Sequence, residues 1–418
     1  MQEKNLSEMT IKNAIILPFE KGENFGSKHS GVYDEQGFKI SNYYCDFALE
    51  KDFKAPKAFI KADKILKQGG GGDCDMSVVF LGFLSGFHGH FITEELARLW
   101  WVLQNGIKSH KFAFVRYKRA SLGAFERFIF SLFGLDESNL IAITKPTKFK
   151  ELILPARSFS YTQNPLYAKE HREVIDFIIK QVKPIQNDKI YLSRQKYTKA
   201  LIYEWGDKYV DEFFQKKGYK IVYPETVSPQ KQLALYAGCK HLAAISGTLP
   251  HNAIFMPQGS KLTIIKKARY HNGTQAFVDE FKGLKRDDID ACLELFGVNI
   301  GRGPFVILMR DLPLSPQTLR DYKAYIKAYL REYLRQLTRK ILATMPTKTQ
   351  LDESFTAFKD EIQSIDEKLF VDLKSNFRAF ERWTRLFYSY PKLAYLGFNL
   401  YHLPQKIFME SFRAWNKW

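Results

Sequence analysis

Between residues 77 and 266 short apolar runs alternate with stretches whose apolar residues recur every three or four positions. Ser77–Leu84 is a continuous apolar run of buried-strand type. His90–Gln104 then fits a helix: Ile92, Leu96, Leu99 and Leu103 form its apolar stripe, and His90, Glu94 and Arg98 share another face at i, i+4 spacing. The pattern predicts a strand over Lys111–Tyr117, a helix over Leu122–Phe133 stopped by Gly134, and a strand over Leu140–Thr144. Strands alternating with helices argue for a parallel sheet with crossover helices. A helix over Ala168–Val182 leads to a hinge at Pro184.

The alternation then restarts. Strands are predicted over Lys189–Ser193, Tyr219–Tyr223, His241–Ser246 and Lys261–Lys266, with helices over Lys208–Lys217 and Pro250–Phe255 between them. Ser228-Pro229 has the form of an N-cap with proline at the first helical position, opening a helix to about Ala237. Beyond Pro316 the period becomes purely helical. Residues 317–345 fit one long helix with Leu319, Tyr322, Ile326, Tyr329, Tyr333, Leu337 and Ile341 as its stripe and Arg320, Lys323, Lys327, Arg331, Arg335 and Arg339 on its other faces. A further helical region follows, and Phe377–Trp418 is crowded with aromatic and basic residues. Residues 1 to about 72 read as short strands and loops, ending in a Gly69–Gly72 run that lacks the Gly-Lys-Ser/Thr of a phosphate loop. The expected class is α/β. The expected units are residues 1–183 (Rossmann-like), 184–312 (Rossmann-like) and a helical extension over 313–418.

At roughly 100–200 residues per domain, a 418-residue chain suggests two to three domains. Lys plus Arg total 63 against 45 for Asp plus Glu, a net charge of +18, which predicts an anionic partner: nucleic acid, an acidic membrane face or a phosphorylated small molecule. Cys45, Cys74, Cys239 and Cys292 lie far apart without a Cys-x-x-Cys, so a zinc ribbon and a disulfide scaffold are disfavoured and reduced thiols are expected. Met1–Lys21 lacks the apolar core of a signal peptide, and no run of about 18 apolar residues occurs. The expected location is the cytoplasm, including the inner face of a membrane.

In open α/β sheets ligands bind beyond the carboxyl ends of the strands. In the second half those ends carry Ser193-Arg194, Pro224-Glu225 and Ser246-Gly247-Thr248. The set suits a nucleoside diphosphate: Arg194 for phosphate, Glu225 for a sugar hydroxyl, and the turn's backbone N–H groups for the remaining oxygens. Each piece alone also fits a surface ion pair or an ordinary turn. In the first half His88-Gly89-His90 follows a buried strand, where a histidine could take a proton from an attacking hydroxyl with Glu94 orienting it. A helix cap with a Glu94–Arg98 pair fits the same spacing equally well. Asp73-Cys74-Asp75 resembles a metal-holding Asp-x-Asp, yet it precedes its strand and so falls at the end away from the expected crevice.

These residues also carry a resemblance. His90-Phe-Ile-Thr-Glu94 through Arg98-Leu-Trp100 is similar to the His-Trp-Leu-Leu-Glu…Arg-Leu element of glycosyltransferase family 61. Tyr191-Leu-Ser-Arg194 resembles that family's Ser-Arg strand end, and Pro224-Glu225 with Ser228 and Gln232 its Pro-Glu…Ser…Gln stretch. Ser246-Gly247-Thr248…Asn252 with Phe255-Met256-Pro257 and Gly259 resembles its His-Gly-Ala-Gly-Leu-x-Asn…Phe-x-Pro-x-Gly signature, and order and spacing agree across residues 77–265. Two departures stand out: Ser246 where the family has His, and Leu249-Pro250 where it has Gly-Leu.

The resemblance implies a GT-B fold of two Rossmann-like domains facing a cleft, with the nucleotide-sugar on the C-terminal one. It implies inverting transfer without a metal or other cofactor, to a saccharide or lipid-linked saccharide acceptor in capsule or lipopolysaccharide synthesis. The expected base is His90 supported by Glu94; the expected donor contacts are Arg194, Glu225, Gln232, Ser246, Gly247, Thr248 and Asn252. Ser246 implies altered donor contacts or lost activity, the latter making the chain a scaffold. The basic, aromatic C-terminal region suggests docking on an anionic membrane. A nucleic-acid-binding protein is the rival from another class, opposed by the even spread of basic residues and the lack of any recognised nucleic-acid module.

Overall fold

The computed structural model describes residues 6–19, 30–41, 72–108, 110–116, 121–160, 166–197, 204–269, 273–298, 303–312, 314–342 and 344–401. The first unit is built on strands β1 (Glu8–Lys12), β2 (Ile15–Leu17), β3 (Gly31–Tyr33), β4 (Lys39–Ser41), β5 (Gly72–Leu84), β6 (Lys111–Arg116), β7 (Leu140–Ile143) and β8 (Thr147–Pro155). Their order is β4-β3-β2-β8-β5-β6-β7, with β1 also paired along β8. β8, β5, β6 and β7 run parallel, and β1 to β4 add antiparallel strands. The apolar half of β5, Val78–Leu84, is buried, as its unbroken apolar run requires. The helix Ala124–Leu132 begins with a Glu126 carboxylate accepting from the Gly123 N–H and ends at Gly134, whose φ of +74° suits glycine. β8 is not evident in the sequence, because Lys148, Lys150 and Glu151 break its apolar character where it faces solvent.

After a two-residue pair β9 (Phe159–Ser160) with β10 (Leu166–Tyr167), the helix Lys169–Lys180 packs against helices of both units. The second unit holds β11 (Asn187–Leu192), β12 (Glu204–Trp205), β13 (Lys220–Val222), β14 (Cys239–Ile245), β15 (Lys261–Lys266) and β16 (Lys285–Asp290). Its main sheet is wholly parallel in the order β13-β11-β14-β15-β16. β16 reads Lys-Arg-Asp-Asp-Ile-Asp, and no apolar pattern announces it. It is an edge strand held by Lys261–Asp287 and Lys266–Asp288 ion pairs to its neighbour. β12, β17 (Cys292–Leu293) and β18 (Phe305–Ile307) make a small separate sheet. One core cluster joins Leu84, Phe91 and Ile92 of the first unit to Leu233, Ile254 and Phe255 of the second, so the two units share an apolar boundary.

The C-terminal helices are Pro316–Thr338, Lys348–Ile365, Glu367–Ser389 and Pro391–Tyr401. Three are capped by side chains: Ser315 Oγ accepts from the Thr318 N–H (3.1 Å), Thr347 from Gln350 (3.2 Å) and Asp366 from Leu369 (2.6 Å). Tyr322, Ile326, Tyr329, Tyr333 and Leu337 are buried against Phe355, Phe358, Phe377 and Phe380. The first helix stops at Thr338 rather than reaching 345; Lys340 takes a left-handed φ of +53°, and Ile341, expected on the stripe, is 44% exposed. The aromatic residues Phe377, Phe387 and Phe398 pack into this core, while Tyr390, Leu393 and Leu396 stay exposed. The tail from 402 and Cys45 lie outside the described residues. Cys74, Cys239 and Cys292 are free thiols, and no described helix is long and apolar enough to cross a membrane.

Candidate active site

β5 delivers its chain to a helical turn that departs from the expected continuous helix over 90–104. His88–His90 form one α-turn, Phe91–Glu95 a π-helical turn, Leu96–Arg98 a break, and Leu99–Asn105 a regular helix. The π-turn inserts one residue per turn, which buries Phe91 and Ile92 in the core together with two successive carboxylates, Glu94 and Glu95. Arg98 thereby leaves the face it would share with His90 and donates from Nε to the Pro155 carbonyl at 2.8 Å.

Glu94 Oε1 is hydrogen-bonded to His90 Nδ1. The carboxylate is 2% exposed and the imidazole 41%, so a buried anion anchors a ring that remains open to a ligand. Burial lowers the His90 pKa, but the hydrogen bond and charge of Glu94, with Glu95 behind, outweigh it and hold the pKa above its ordinary value. Glu95 Oε1 accepts from the Ser85 N–H at 2.7 Å. Burial nevertheless pushes the Glu95 carboxyl up to about 8.

Between the ordinary 4.5 and about 8, the folded chain keeps a proton on Glu95 that the unfolded chain has released. Its contribution to stability is therefore lost progressively as pH rises through that window. Glu95→Gln keeps an acceptor for Ser85 and removes the titration. Relative to wild type, the variant gains about 1–3 kcal/mol at pH 8 over pH 5, read from urea melts at the two pH values. Equal differences at both would contradict the assignment.

In the second unit the strand register decides the geometry. Leu192 of β11 pairs with Val222 of β13 on one side and Ala244 of β14 on the other. Neighbouring strands lie about 4.8 Å apart, so Arg194, Pro224-Glu225 and Ser246–Thr248 leave the sheet side by side. Ser193 N donates to the Val222 carbonyl at 2.9 Å, tying two of these exits together. Gly247 has φ +135°, and a Cβ built on it would meet nothing within 4 Å, so this turn faces open space. Glu225 is exposed on the 3-10 turn Pro224–Thr226. Gln232 Nε2 donates to the Pro224 and Val227 carbonyls, both at 2.8 Å. Its amide hydrogens are thus spent on holding the turn that carries Glu225.

Arg194 forms two parallel hydrogen bonds to Glu204, from Nε at 2.9 Å and Nη2 at 3.0 Å. Lys267 Nζ shares the same carboxylate at 2.7 Å, and its backbone N–H donates to Ser246 Oγ at 3.2 Å. All three side chains are largely buried: Lys267 is 8% exposed, Glu204 9% and Arg194 18%. Burial opposes the charge on Glu204, but Lys267 and Arg194 overcome it and hold its pKa below the ordinary value. Behind them burial, with the nearby charge of Asp211, pushes Asp207 up to about 7. The edge of the sheet thus carries two cations around one shared carboxylate. Lys267 follows the fourth parallel strand, so the strand-end rule extended by one strand finds it. Glu204 sits on a two-residue strand that no pattern marks.

The two units meet at this edge. A Cβ on Gly89 would lie 2.8 Å from Thr248 Cγ2 and 3.0 Å from His251 Cδ2, so only glycine lets the histidine turn approach the 3-10 segment Leu249–Phe255. Asn252 Nδ2 donates to the Leu249 carbonyl at 2.9 Å, and its Oδ1 lies 2.9 Å from His88 Nε2. His251 is buried with Nδ1 on Gln275 Oε1 at 2.8 Å, and burial pushes its pKa down to about 4. The fold therefore brings the His90–Glu94 turn against the segment carrying Thr248 and Asn252, with Ser246, Gly247, Arg194 and Glu225 along the same sheet edge.

The family model described as Glycosyltransferase 61 matches residues 88–263, from the first histidine of this turn to the middle of β15. The chain carries a glycosyltransferase 61 domain. Its span encloses both faces of the site and leaves Lys267 just beyond. A search of curated proteins gives no match. As a glycosyltransferase the protein takes a sugar donor and an acceptor; the junction sets a histidine backed by a buried carboxylate against a cationic sheet edge beside an open turn.

Proposed function

We propose that this glycosyltransferase transfers a sugar from a nucleoside-diphosphate donor to a saccharide acceptor of a capsule or lipopolysaccharide, with inversion and without a metal, in a GT-B arrangement. The observation that carries the reading is the contact of the Gly89–His90 turn with Thr248, on the edge where Arg194 and Lys267 converge. In the proposed step an acceptor hydroxyl oxygen bonds to the anomeric carbon while His90 takes its proton. The bond from that carbon to the diphosphate oxygen breaks, and its electron pair leaves on the diphosphate. A single displacement of this kind inverts the carbon.

Glu94 keeps His90 in one tautomer and stabilises the imidazolium that forms. Arg194, Lys267 and the N–H groups of the Ser246–Thr248 turn hold the charge growing on the leaving group. Ser246 stands where the family signature it resembles has histidine; its Oγ accepts the Lys267 backbone N–H, and the Lys267 ammonium is held on Glu204 beside Arg194. This favours altered donor contacts over lost activity.

A thermal-shift panel of nucleotide-sugars tests the reading. A donor at 100-fold its dissociation constant stabilises the fold by about 2.7 kcal/mol. The expected result is a rise in melting temperature with one nucleotide and its sugar conjugates. No rise with any nucleotide-sugar or nucleoside diphosphate would overturn it.

A further inference from the structure

A second concavity, of about 250 Å³, opens at the carboxyl ends of β5 and β6 in the first unit, walled by Gly86, His88, Arg116, Leu122, Phe125 and Glu126. We propose that this cavity seats the acceptor saccharide, with Arg116 donating to one of its hydroxyls and His88 accepting from another. The assignment rests on the reading of the chain as a sugar transferase and adds where the second substrate sits.

Two unfinished hydrogen bonds point to the ligand. Arg116 is 5% exposed and ion-paired to Glu126 at 2.8 Å, yet its Nε–H has no acceptor among the described residues. A buried guanidinium N–H left unpaired is costly, so a site that keeps one is built for a missing acceptor. His88 supplies the complement. Because Asn252 Nδ2 is turned to the Leu249 carbonyl, the atom facing His88 is Oδ1, which can only accept, so His88 Nε2–H donates to it. Burial, opposed by that hydrogen bond and the charge of Glu126, holds the ring neutral by lowering its pKa. Nδ1 therefore carries a lone pair, and no hydrogen bond reaches it among the described residues.

A hydroxyl both donates and accepts, so adjacent hydroxyls of one sugar ring satisfy Arg116 and His88 together. An anion would set a negative charge against the His88 lone pair, and an apolar ligand would leave both groups unpaired. Phe125, edge-on to the His88 ring at 4.8 Å, fixes its orientation and with Leu122 gives an apolar wall for the C–H face of a sugar. His88 is two residues from His90, and its Asn252 bond ties the cavity to the donor segment. The cavity opens at the carboxyl edge of β5, the edge that also carries the turn with His90.

The test uses saturation-transfer NMR with a panel of methyl glycosides on the full chain. It compares wild type with Arg116→Gln/Glu126→Gln, a pair that leaves no buried charge unmatched. At least one glycoside should bind wild type and bind the variant tenfold or more weakly, while nucleotide-sugar affinity is unchanged. If the pair fails to fold, Leu122→Trp, which fills the cavity from its rim, must produce the same loss. Equal glycoside binding by a folded variant, or no glycoside binding by a wild type that binds nucleotide-sugar, overturns the assignment and leaves the donor reading standing. Glycoside binding lost in the variant, with no nucleotide-sugar binding by any form, supports the cavity and removes the donor reading instead.

Discussion

Replacing His90 with alanine lowers kcat by about 10²–10⁴-fold, the range expected when a positioned general base is removed, and leaves the affinity for nucleotide-sugar unchanged. The split between turnover and donor affinity follows from the geometry. His90 extends from the first unit, whereas the groups assigned to the diphosphate stand on the carboxyl edge of the second. The pH profile carries a second signature. Glu94 raises the His90 pKa, so the acid limb of kcat/KM lies above the ordinary histidine value of 6.5. Glu94→Gln moves that limb to lower pH while reducing kcat, because the carboxylate charge both raises the pKa and supports the imidazolium. Steady-state rates across pH 5–9 for the three proteins measure both effects. A near-normal turnover number for His90→Ala would take the base role from it.

Glu204→Ala destabilises the fold by about 3–5 kcal/mol, the loss seen when one partner of a buried ion pair is removed and the other charge is stranded. Here two cations lose their shared carboxylate, Lys267 at 2.7 Å and Arg194 through two bonds. A paired Glu204→Met/Lys267→Met variant recovers part of that loss, because it strands one cation fewer. Urea melts of the two variants distinguish this arrangement from a weak surface pair, for which both would lie within about 1 kcal/mol of wild type. Diphosphate added to the single variant restores part of its stability, since an anion then occupies the place of the missing carboxylate.

The alternation of apolar strand runs with helical stripes located the second sheet closely: β15 spans Lys261–Lys266 as expected, and Ser228 caps its helix by accepting from the Lys231 N–H. Such elements are legible because burial on both faces leaves an unbroken apolar run. β8 and β16 are not, since charged residues paired across the surface replace that run. The π-turn at Phe91–Glu95 escaped for a different reason: a helical stripe from Ile92 to Leu103 also fits a straight helix, and only the burial of both Glu94 and Glu95 exposes the irregularity.

Among the site residues, Arg194, Glu225 and Ser246–Thr248 follow from one rule about strand ends, and the parallel register places them side by side. Glu204 and the acceptor role of His88 depend on which atoms already have partners. That is a property of the packed chain and has no pattern in the sequence. Gln232, expected at the donor, holds the turn under Glu225 instead of offering its own amide hydrogens.

Photolabelling with an azido-nucleoside diphosphate sugar, followed by peptide mapping, tests the central claim most directly. The proposed donor site predicts label on Ser193–Tyr197 and Ser246–Asn252, competed by the unmodified nucleotide-sugar. Competed label confined to Ala268, Arg269 and Glu294–Val298, which line a larger cavity of about 570 Å³ together with Gln350, Glu353 and Ser354 of a C-terminal helix, would contradict it.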